Sequence, residues 1–343
     1  MKKLLVTGGS GYIGTHTVVE LLESGYEVVV YDNLSNSSVI SLDRVKEITG
    51  KDFEFINGDI RDQEKLRSIF SNHDFEGVIH FAGMKVVDES ILKPMEYYDN
   101  NVHGTLKLLE VMNQYQVKTI VFSSTAAVYG NPSRLPIDEN MPTGTPTNPY
   151  GMTKLMVEII LSDLQRSDPS WRIARLRYFN PTGAHPSGLI GEDPRDTPTN
   201  LMPLMAQVAI RNIEYLTVYG DDFDTLDGSG VRDFIHVVDL AKGHISALLK
   251  CNKSEGVHTV NLGTGQGYSV LEMIETFEKV NNVKVPYKIK KRRIGDVAES
   301  YTNPEYASKY LGWQSQLELD DMCRDLWNWQ LKNPEGYRKI NKV

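Results

Sequence analysis

Leu4-Leu5-Val6-Thr7-Gly8-Gly9-Ser10-Gly11-Tyr12-Ile13-Gly14 decides how the first half of this 343-residue chain folds. A short apolar run ends in glycines at positions 8, 11 and 14, and an amphipathic segment follows. The pattern predicts a buried strand turning sharply into a helix. Bare backbone at that junction lets a pyrophosphate approach the N–H groups of the helix start, where the helix dipole favours negative charge. A glycine turn identifies little by itself, and here its spacing is Gly-x2-Gly-x2-Gly rather than the commoner Gly-x-Gly-x2-Gly. The context adds more. Glu27-Val28-Val29-Val30-Tyr31 reads as a second strand and runs into Asp32. An acid there accepts hydrogen bonds from ribose hydroxyls and repels a 2′-phosphate, which points to NAD rather than NADP.

Composition bounds the rest. With 40% hydrophobic and 24% charged residues, a chain of this length buries a large core and fits two domains better than one. A net charge of −8 argues against a broad nucleic-acid surface but leaves room for a local basic pocket. Cys251 and Cys323 form no metal or redox spacing and suit a reducing compartment. The apolar run at the start stops at Thr7-Gly8-Gly9, too short for export, and no stretch nears the ~20 residues of a membrane helix. These features predict a cytoplasmic protein.

Strand and helix patterns alternate through the first half: a helix over 42–48, a strand over 53–56, a helix over 63–70 and a strand over 77–80. A long helix over 95–114 and a strand over 119–122 follow. Short strands separated by helices predict a parallel, doubly wound α/β sheet with right-handed crossovers. Ligands bind beyond the carboxyl ends of such strands. Asp59, Phe81, Ala82, Gly83, Ser123, Ser124 and Thr125 all fall at that edge.

After a loop rich in proline, asparagine and threonine, Pro149-Tyr150-Gly151-Met152-Thr153-Lys154 opens a helix to about Arg166. Tyr150 and Lys154 are spaced to share one helix face. An ammonium beside a phenol favours the phenolate, and a nicotinamide cation favours it further, giving a base able to take a hydroxyl proton near neutral pH. Tyr-x3-Lys also arises by chance: Tyr287 and Lys291 repeat it within a stretch whose alternation reads as a strand. Only the first pair follows the glycine turn and a hydroxyl cluster. A strand from about Trp171 to Tyr178 then leads into a loop from Thr182 to Asn200, where the main domain boundary is expected. Beyond it lie a helix over 201–210 and a strand over 216–219. A helix over 238–249 and a strand over 257–262 come next, the latter two returning to the first domain. The chain ends with a helix over 270–280, a strand over 285–289 and a helix over 319–331. The eight histidines show no metal spacing, and His80 and His236 read as packing or hydrogen-bonding residues.

Together, Thr7-Gly8-x2-Gly11-x2-Gly14, Asp32, Asp59, the Ser123-Ser124-Thr125 cluster and Tyr150-x3-Lys154 resemble the extended short-chain dehydrogenase/reductase family. Within it the chain resembles the UDP-glucose (UDP-galactose) 4-epimerase family. The stretches that carry this are His80–Gly83, Tyr97–Asn101, Arg177–Gly188 and Gly230–Val237, and the likeness runs to about Gln330. The resemblance implies a Rossmann-type NAD domain over 1–180, rejoined by about 236–264, and a smaller mixed α/β UDP-sugar domain over 181–343. It implies an isomerase with tightly held NAD, acting as a homodimer. Tyr150 would take the O4 proton while C4 gives a hydride to NAD, and hydride would return to the other face of the 4-keto sugar. Lys154 would lower the pKa of Tyr150 and hold the nicotinamide ribose, and Thr125 would hydrogen-bond O4 and relay the proton.

Carried over by resemblance, NAD would be lined by Gly8, Gly11, Tyr12, Ile13 and Gly14 at the turn, and by Asp32, Asn33, Asp59 and Ile60 at the next two strand ends. Phe81, Ala82, Gly83, Lys85, Asn100, Ser123, Tyr178 and Pro181 complete that lining. The UDP-sugar would meet Lys85, Phe179, Asn180, Asn200, Leu201, Tyr219, Arg232, Arg293 and Asp296. Guanidinium groups match phosphate oxygens in geometry and charge. Lys290 and Lys291 read better as solvated cations, and Arg232 has an alternative as an ion pair with Asp233. Related 4,6-dehydratases and decarboxylases need an acid just after the hydroxyl cluster, where this chain has Ala126 and Ala127. A non-catalytic NAD(H) sensor would not need Thr125, Tyr150 and Lys154 together.

One position departs from the family. Where epimerases restricted to UDP-glucose and UDP-galactose carry a bulky residue after the Arg-x2-Gly-Asp segment, counting from Asp296 reaches Ser300. A serine there leaves space for a 2-acetamido group and implies UDP-N-acetylglucosamine and UDP-N-acetylgalactosamine as further substrates. A slip of one residue would put Tyr301 there instead.

Overall fold

The computed structural model describes residues 2–194, 198–293 and 296–338. In chain order the first half runs β1 (Lys3–Thr7), α1 (Tyr12–Glu23), β2 (Glu27–Asp32), α2 (Val39–Thr49), β3 (Glu54–Asn57) and α3 (Gln63–Asn72). It continues with β4 (Phe75–His80), α4 (Val87–Leu92), α5 (Pro94–Tyr97), a π-helical turn (Tyr98–His103), α6 (Gly104–Gln114), β5 (Thr119–Thr125), α7 (Pro149–Ser167) and β6 (Arg172–Tyr178). The second half holds β7 (Asn180–Thr182), α8 (Leu201–Ala209), β8 (Leu216–Tyr219), β9 (Val231–His236), α9 (Val237–Cys251), β10 (Gly256–Leu262) and β11 (Gly267–Ser269). It ends with α10 (Val270–Asn281), β12 (Tyr287–Lys290), β13 (Glu299–Ser300), α11 (Glu305–Leu311) and α12 (Leu319–Lys332).

Seven parallel strands form the main sheet in the order β10-β6-β5-β4-β1-β2-β3. Apolar residues crowd both faces of β1 and β2 because helices cover the sheet on both sides. One core layer joins these strands to α1, α2 and α9, and the other joins them to α3, α6 and α7. The strand order reverses between β1 and β4, so a crevice opens beyond their carboxyl ends. From the second half of the chain, β10 joins this sheet, pairing with β6. A smaller sheet orders β11-β9-β13 with β7 on β9, β8 pairs with β12, and a third core gathers α8, α10 and α12.

The long helix expected over 95–114 is present, running from Pro94 to Gln114, but it widens into a π-helical turn over Tyr98–His103. A wider turn lies between α5 and α6 because Asn101 is drawn aside: its amide donates to the Met84 carbonyl and to Thr153, and its Oδ1 accepts the Met84 N–H. Such π turns recur at functional sites. The Tyr287–Lys291 decoy begins on β12, an exposed strand, and ends beyond it. The Gly295 of the Arg-x2-Gly-Asp segment and residues 195–197 of the long loop lie outside the described residues.

Candidate active site

The glycine turn is built by steric need. Gly8 has φ +69°, and a Cβ there would lie 2.6 Å from the Ala82 nitrogen. A Cβ on Gly14 would lie 2.3 Å from the Gly8 carbonyl oxygen, so α1 can pack this close only as glycine. Gly11 is the N-cap and brings no side chain, which leaves the first N–H groups of α1, from Tyr12 and Ile13, without a capping oxygen. Asp32, ending β2, accepts from the Ser10 N–H at 3.1 Å, the Leu34 N–H at 2.8 Å and the Ser37 hydroxyl at 3.1 Å. Beside it Asn33 donates to Asp59, whose carboxyl is held well below the usual range by Arg61. Ile60 packs beneath, where a Cβ on Gly104 would come within 2.7 Å of it.

At the tip of β5 sits the second group. Asn148 caps α7 through the Gly151 N–H, and Pro149 starts the helix, so Tyr150 and Lys154 emerge in its first turns on one face. Lys154 is only 5% exposed. Its ammonium donates to the Ser123 carbonyl at 2.7 Å and lies 4.9 Å from the Phe122 ring centroid. Burial pushes its pKa down to about 8. The hydroxyl of half-buried Tyr150 is enclosed, which raises its pKa, and hydrogen bonding to Thr125 opposes that rise. The ammonium is thus turned to the β5 backbone, while the phenol keeps company with Thr125. Gly83 closes the other side, with Lys154 Nζ 3.5 Å and Asn101 Oδ1 3.3 Å from where its Cβ would stand. Asn100 donates to that same Asn101 oxygen.

Three residues missed from the sequence frame this cluster. His244 donates from Nδ1 to the Leu240 carbonyl, so its Nε2 accepts the Tyr178 hydroxyl, and its ring packs 4.8 Å from Phe81. Glu158, one turn beyond Lys154, pairs with Arg177 inside the core. Glu192 lies in the long loop, where no periodicity marked it. It accepts from Lys85 at 2.7 Å and Asn200 at 2.9 Å, bringing together two residues 115 positions apart. Asn200 therefore does not cap α8, although it stands at the N-cap just before Leu201.

The remaining candidates collect around β9. Asn180 donates to the Asp233 carbonyl, Pro181 pairs in register with Ile235, and buried Phe179 precedes them. The Tyr12 hydroxyl donates to the Gly183 carbonyl at 2.7 Å, tying the glycine turn to the same segment. The alternative of an Arg232–Asp233 ion pair fails. Asp233 accepts from Thr264, Gly265 and Thr302, while Arg232 Nη1 meets the Val231 and Ala298 carbonyls, because neighbours on a strand point to opposite faces. Arg293 lies over the Tyr219 ring at 5.0 Å and pairs with Asp296 at 2.9 Å. Arg293 and Asp296 are close enough to act on the charge of Arg232. Ser300 pairs in register with Arg232.

A profile of the family described as GDP-mannose 4,6 dehydratase matches residues 5–326. The chain is 57% identical to a UDP-glucose 4-epimerase of Bacillus subtilis (strain 168) over 335 residues, covering 98% of each. It is 56% identical to a UDP-glucose 4-epimerase of Mus musculus, over 98% of this chain and 99% of that one. The crystal structure of a UDP-glucose 4-epimerase from Bifidobacterium longum, in complex with NAD+ and UDP, matches with a TM-score of 0.94 at 54% identity, covering 98% of this chain and 100% of that one.

Proposed function

The chain belongs to the UDP-glucose 4-epimerases of the extended short-chain dehydrogenase/reductase family, and from that premise we propose that it interconverts UDP-glucose and UDP-galactose through a transient 4-keto sugar. The observation that carries this is the buried Lys154, held to the Ser123 carbonyl, with Tyr150 beside it and close to Thr125 at the carboxyl edge of the sheet. The turn fits NAD: a helix start with no side-chain cap offers N–H groups to a pyrophosphate, and the partly exposed Asp32 offers carboxylate oxygens to a ribose. A bound NAD would supply the acceptor for the C4 hydride and the source of its return to the opposite face.

A sugar hydroxyl is a very weak acid, so a base must hold the O4 proton as the hydride leaves. Tyr150 takes that proton at its hydroxyl oxygen, with Thr125 as its hydrogen-bonding neighbour and relay. A protonated Lys154 favours the phenolate. Arg232 and Arg293 match the diphosphate, and with the UDP anchored the 4-keto sugar can turn over. Ala126 and Ala127 leave no carboxylate next to Thr125 for 4,6-dehydration or decarboxylation.

The same pocket takes UDP-N-acetylglucosamine and UDP-N-acetylgalactosamine. Registered neighbours of a parallel pair share a face, which puts the small Ser300 with Arg232. Tyr301 instead lies beside Val231, both within reach of a Cβ on Gly267. Two copies associate through α4, α5 and α7, where Leu92 is 82% and Met95 78% exposed and Met156 and Ile159 are also open. No helix among the described residues is long and apolar enough to cross a membrane, and buried Cys251 and Cys323 suit a reducing cytoplasm.

Purified protein, with no NAD added, is incubated separately with UDP-glucose and UDP-N-acetylglucosamine and the products are resolved by chromatography. The 4-epimer of both is expected. Product from UDP-glucose alone removes the N-acetyl substrates, and no epimer from either sugar, even with NAD added, removes the epimerase reading.

A further inference from the structure

The catalytic groups are carried by two elements, Tyr150 and Lys154 on α7 and Ser123 and Thr125 at the tip of β5, which meet where Lys154 donates to the Ser123 carbonyl. A second tie between them runs through Glu158. It lies four residues beyond Lys154 on α7, hence on the same face. Its side chain is sealed from solvent, with the residue 1% exposed. Oε1 accepts the Ser124 hydroxyl at 2.5 Å and Arg177 Nε at 3.0 Å, and Oε2 accepts Arg177 Nη2 at 2.6 Å. Arg177, 4% exposed on β6, also donates to the Tyr129 hydroxyl at 2.8 Å, which in turn donates to Asn261 on β10.

Ser124 stands between the two residues that matter. The Ser123 carbonyl holds Lys154, and Thr125 is near enough to Tyr150 to act on its phenol. A carboxylate fixed by a bidentate guanidinium and gripping Ser124 therefore sets how far the β5 tip stands from α7. Such a pair adds little net stability, because desolvating both charges offsets their attraction. Its value lies in geometry, since a misplacement of about 1 Å at a reacting centre can slow turnover ~100-fold.

We propose that Glu158, through Ser124 and backed by Arg177, is a positioning residue that holds Thr125 and the Ser123 carbonyl in reach of Tyr150 and Lys154. This rests on the reading of Tyr150 as the base. The test compares Ser124→Ala, Glu158→Gln and Arg175→Met in the NAD-loaded enzyme. Readouts are kcat and KM for UDP-glucose, the isotope effect with sugar deuterated at C4, and the melting temperature. Ser124→Ala removes only the tie to β5 and keeps the ion pair, so it folds even where Glu158→Gln does not.

Arg175 is the control. It binds the Glu158 backbone carbonyl, Ser162 and Thr259, comes only within 3.9 Å of the Glu158 carboxylate against 2.6 Å for Arg177, and makes no bond to the Ser124 hydroxyl. Ser124→Ala is expected to lower kcat about tenfold, with KM and melting temperature unchanged and a larger isotope effect, because the hydride step becomes more limiting. Glu158→Gln is expected to lower kcat further, whereas Arg175→Met lowers the melting temperature and spares kcat. Unchanged kcat in Ser124→Ala, or losses that merely follow the melting temperature in all three, overturns the proposal. A wild type without turnover instead brings down the epimerase reading, and this proposal with it.

Discussion

Ser300 stands directly beside Arg232, its registered partner in the parallel pairing of β13 with β9. Tyr301, one residue on, belongs to the other face, near Val231 and Gly267. Replacing Ser300 with Tyr puts a phenol on the face that Arg232 occupies. Turnover of UDP-N-acetylglucosamine is expected to fall at least ~10-fold, while UDP-glucose turnover stays within about twofold. The ratio of the two rates is the measurement, and equal losses for both sugars would remove Ser300 as a specificity position.

Tyr150→Phe deletes the group assigned to the O4 proton and leaves the glycine turn alone. Turnover should fall by about 10²–10⁴-fold, with the bound NAD content of the purified protein unchanged. Retained turnover would refute the role.

Lys154 carries a pH signature. Its pKa in the cofactor-free fold is about 8, below the ordinary 10.5, because burial disfavours the ammonium. Below pH 8 the fold must hold that charge away from water, a penalty of about 3 kcal/mol, lifted as pH rises from 8 to 10.5. Lys154→Met should therefore unfold at higher urea than the wild type at pH 7, with the gap closing toward pH 10.5. No gap at pH 7 would mean that the ammonium is well accommodated without the cofactor.

His16, His80 and His244 are buried and pushed down to about 3, 3 and 4, chiefly by desolvation. Each stays neutral in the fold while the unfolded chain takes up a proton below pH 6.5. The stability they give is complete above pH 6.5 and is lost as pH falls toward 4. Urea midpoints should decline between pH 6.5 and 5.5, before most carboxylates begin to take up protons. A flat profile there would contradict the buried neutral imidazoles.

Leu92→Glu with Met95→Glu places charge on the exposed apolar helices. Light scattering should give a dimer for the wild type and a monomer for the double variant. A monomeric wild type would end the homodimer proposal.

The glycine turn, the strand ends carrying Asp32 and Asp59 and the Tyr150–Lys154 spacing were all legible, because each is a local pattern tied to the period of one element. Asn101 was quoted only as part of a motif. The wider turn at Asn101 goes with its bonds to Met84 and Thr153, which periodicity along the helix does not report.

By itself the sequence determined a parallel α/β sheet, the edge on which ligands gather and the residues offered there, since apolar period and glycine placement specify strands, helices and their ends. Only the tertiary structure decided which partners those residues take. Lys154 turns to the Ser123 carbonyl, Asp233 abandons Arg232 for two distant segments, Ser300 rather than Tyr301 joins Arg232, and Glu158 finds Arg177 and Ser124. The physical reason is that register and rotation between elements are set by packing among residues far apart in the chain, and a pattern within one element carries no information about either.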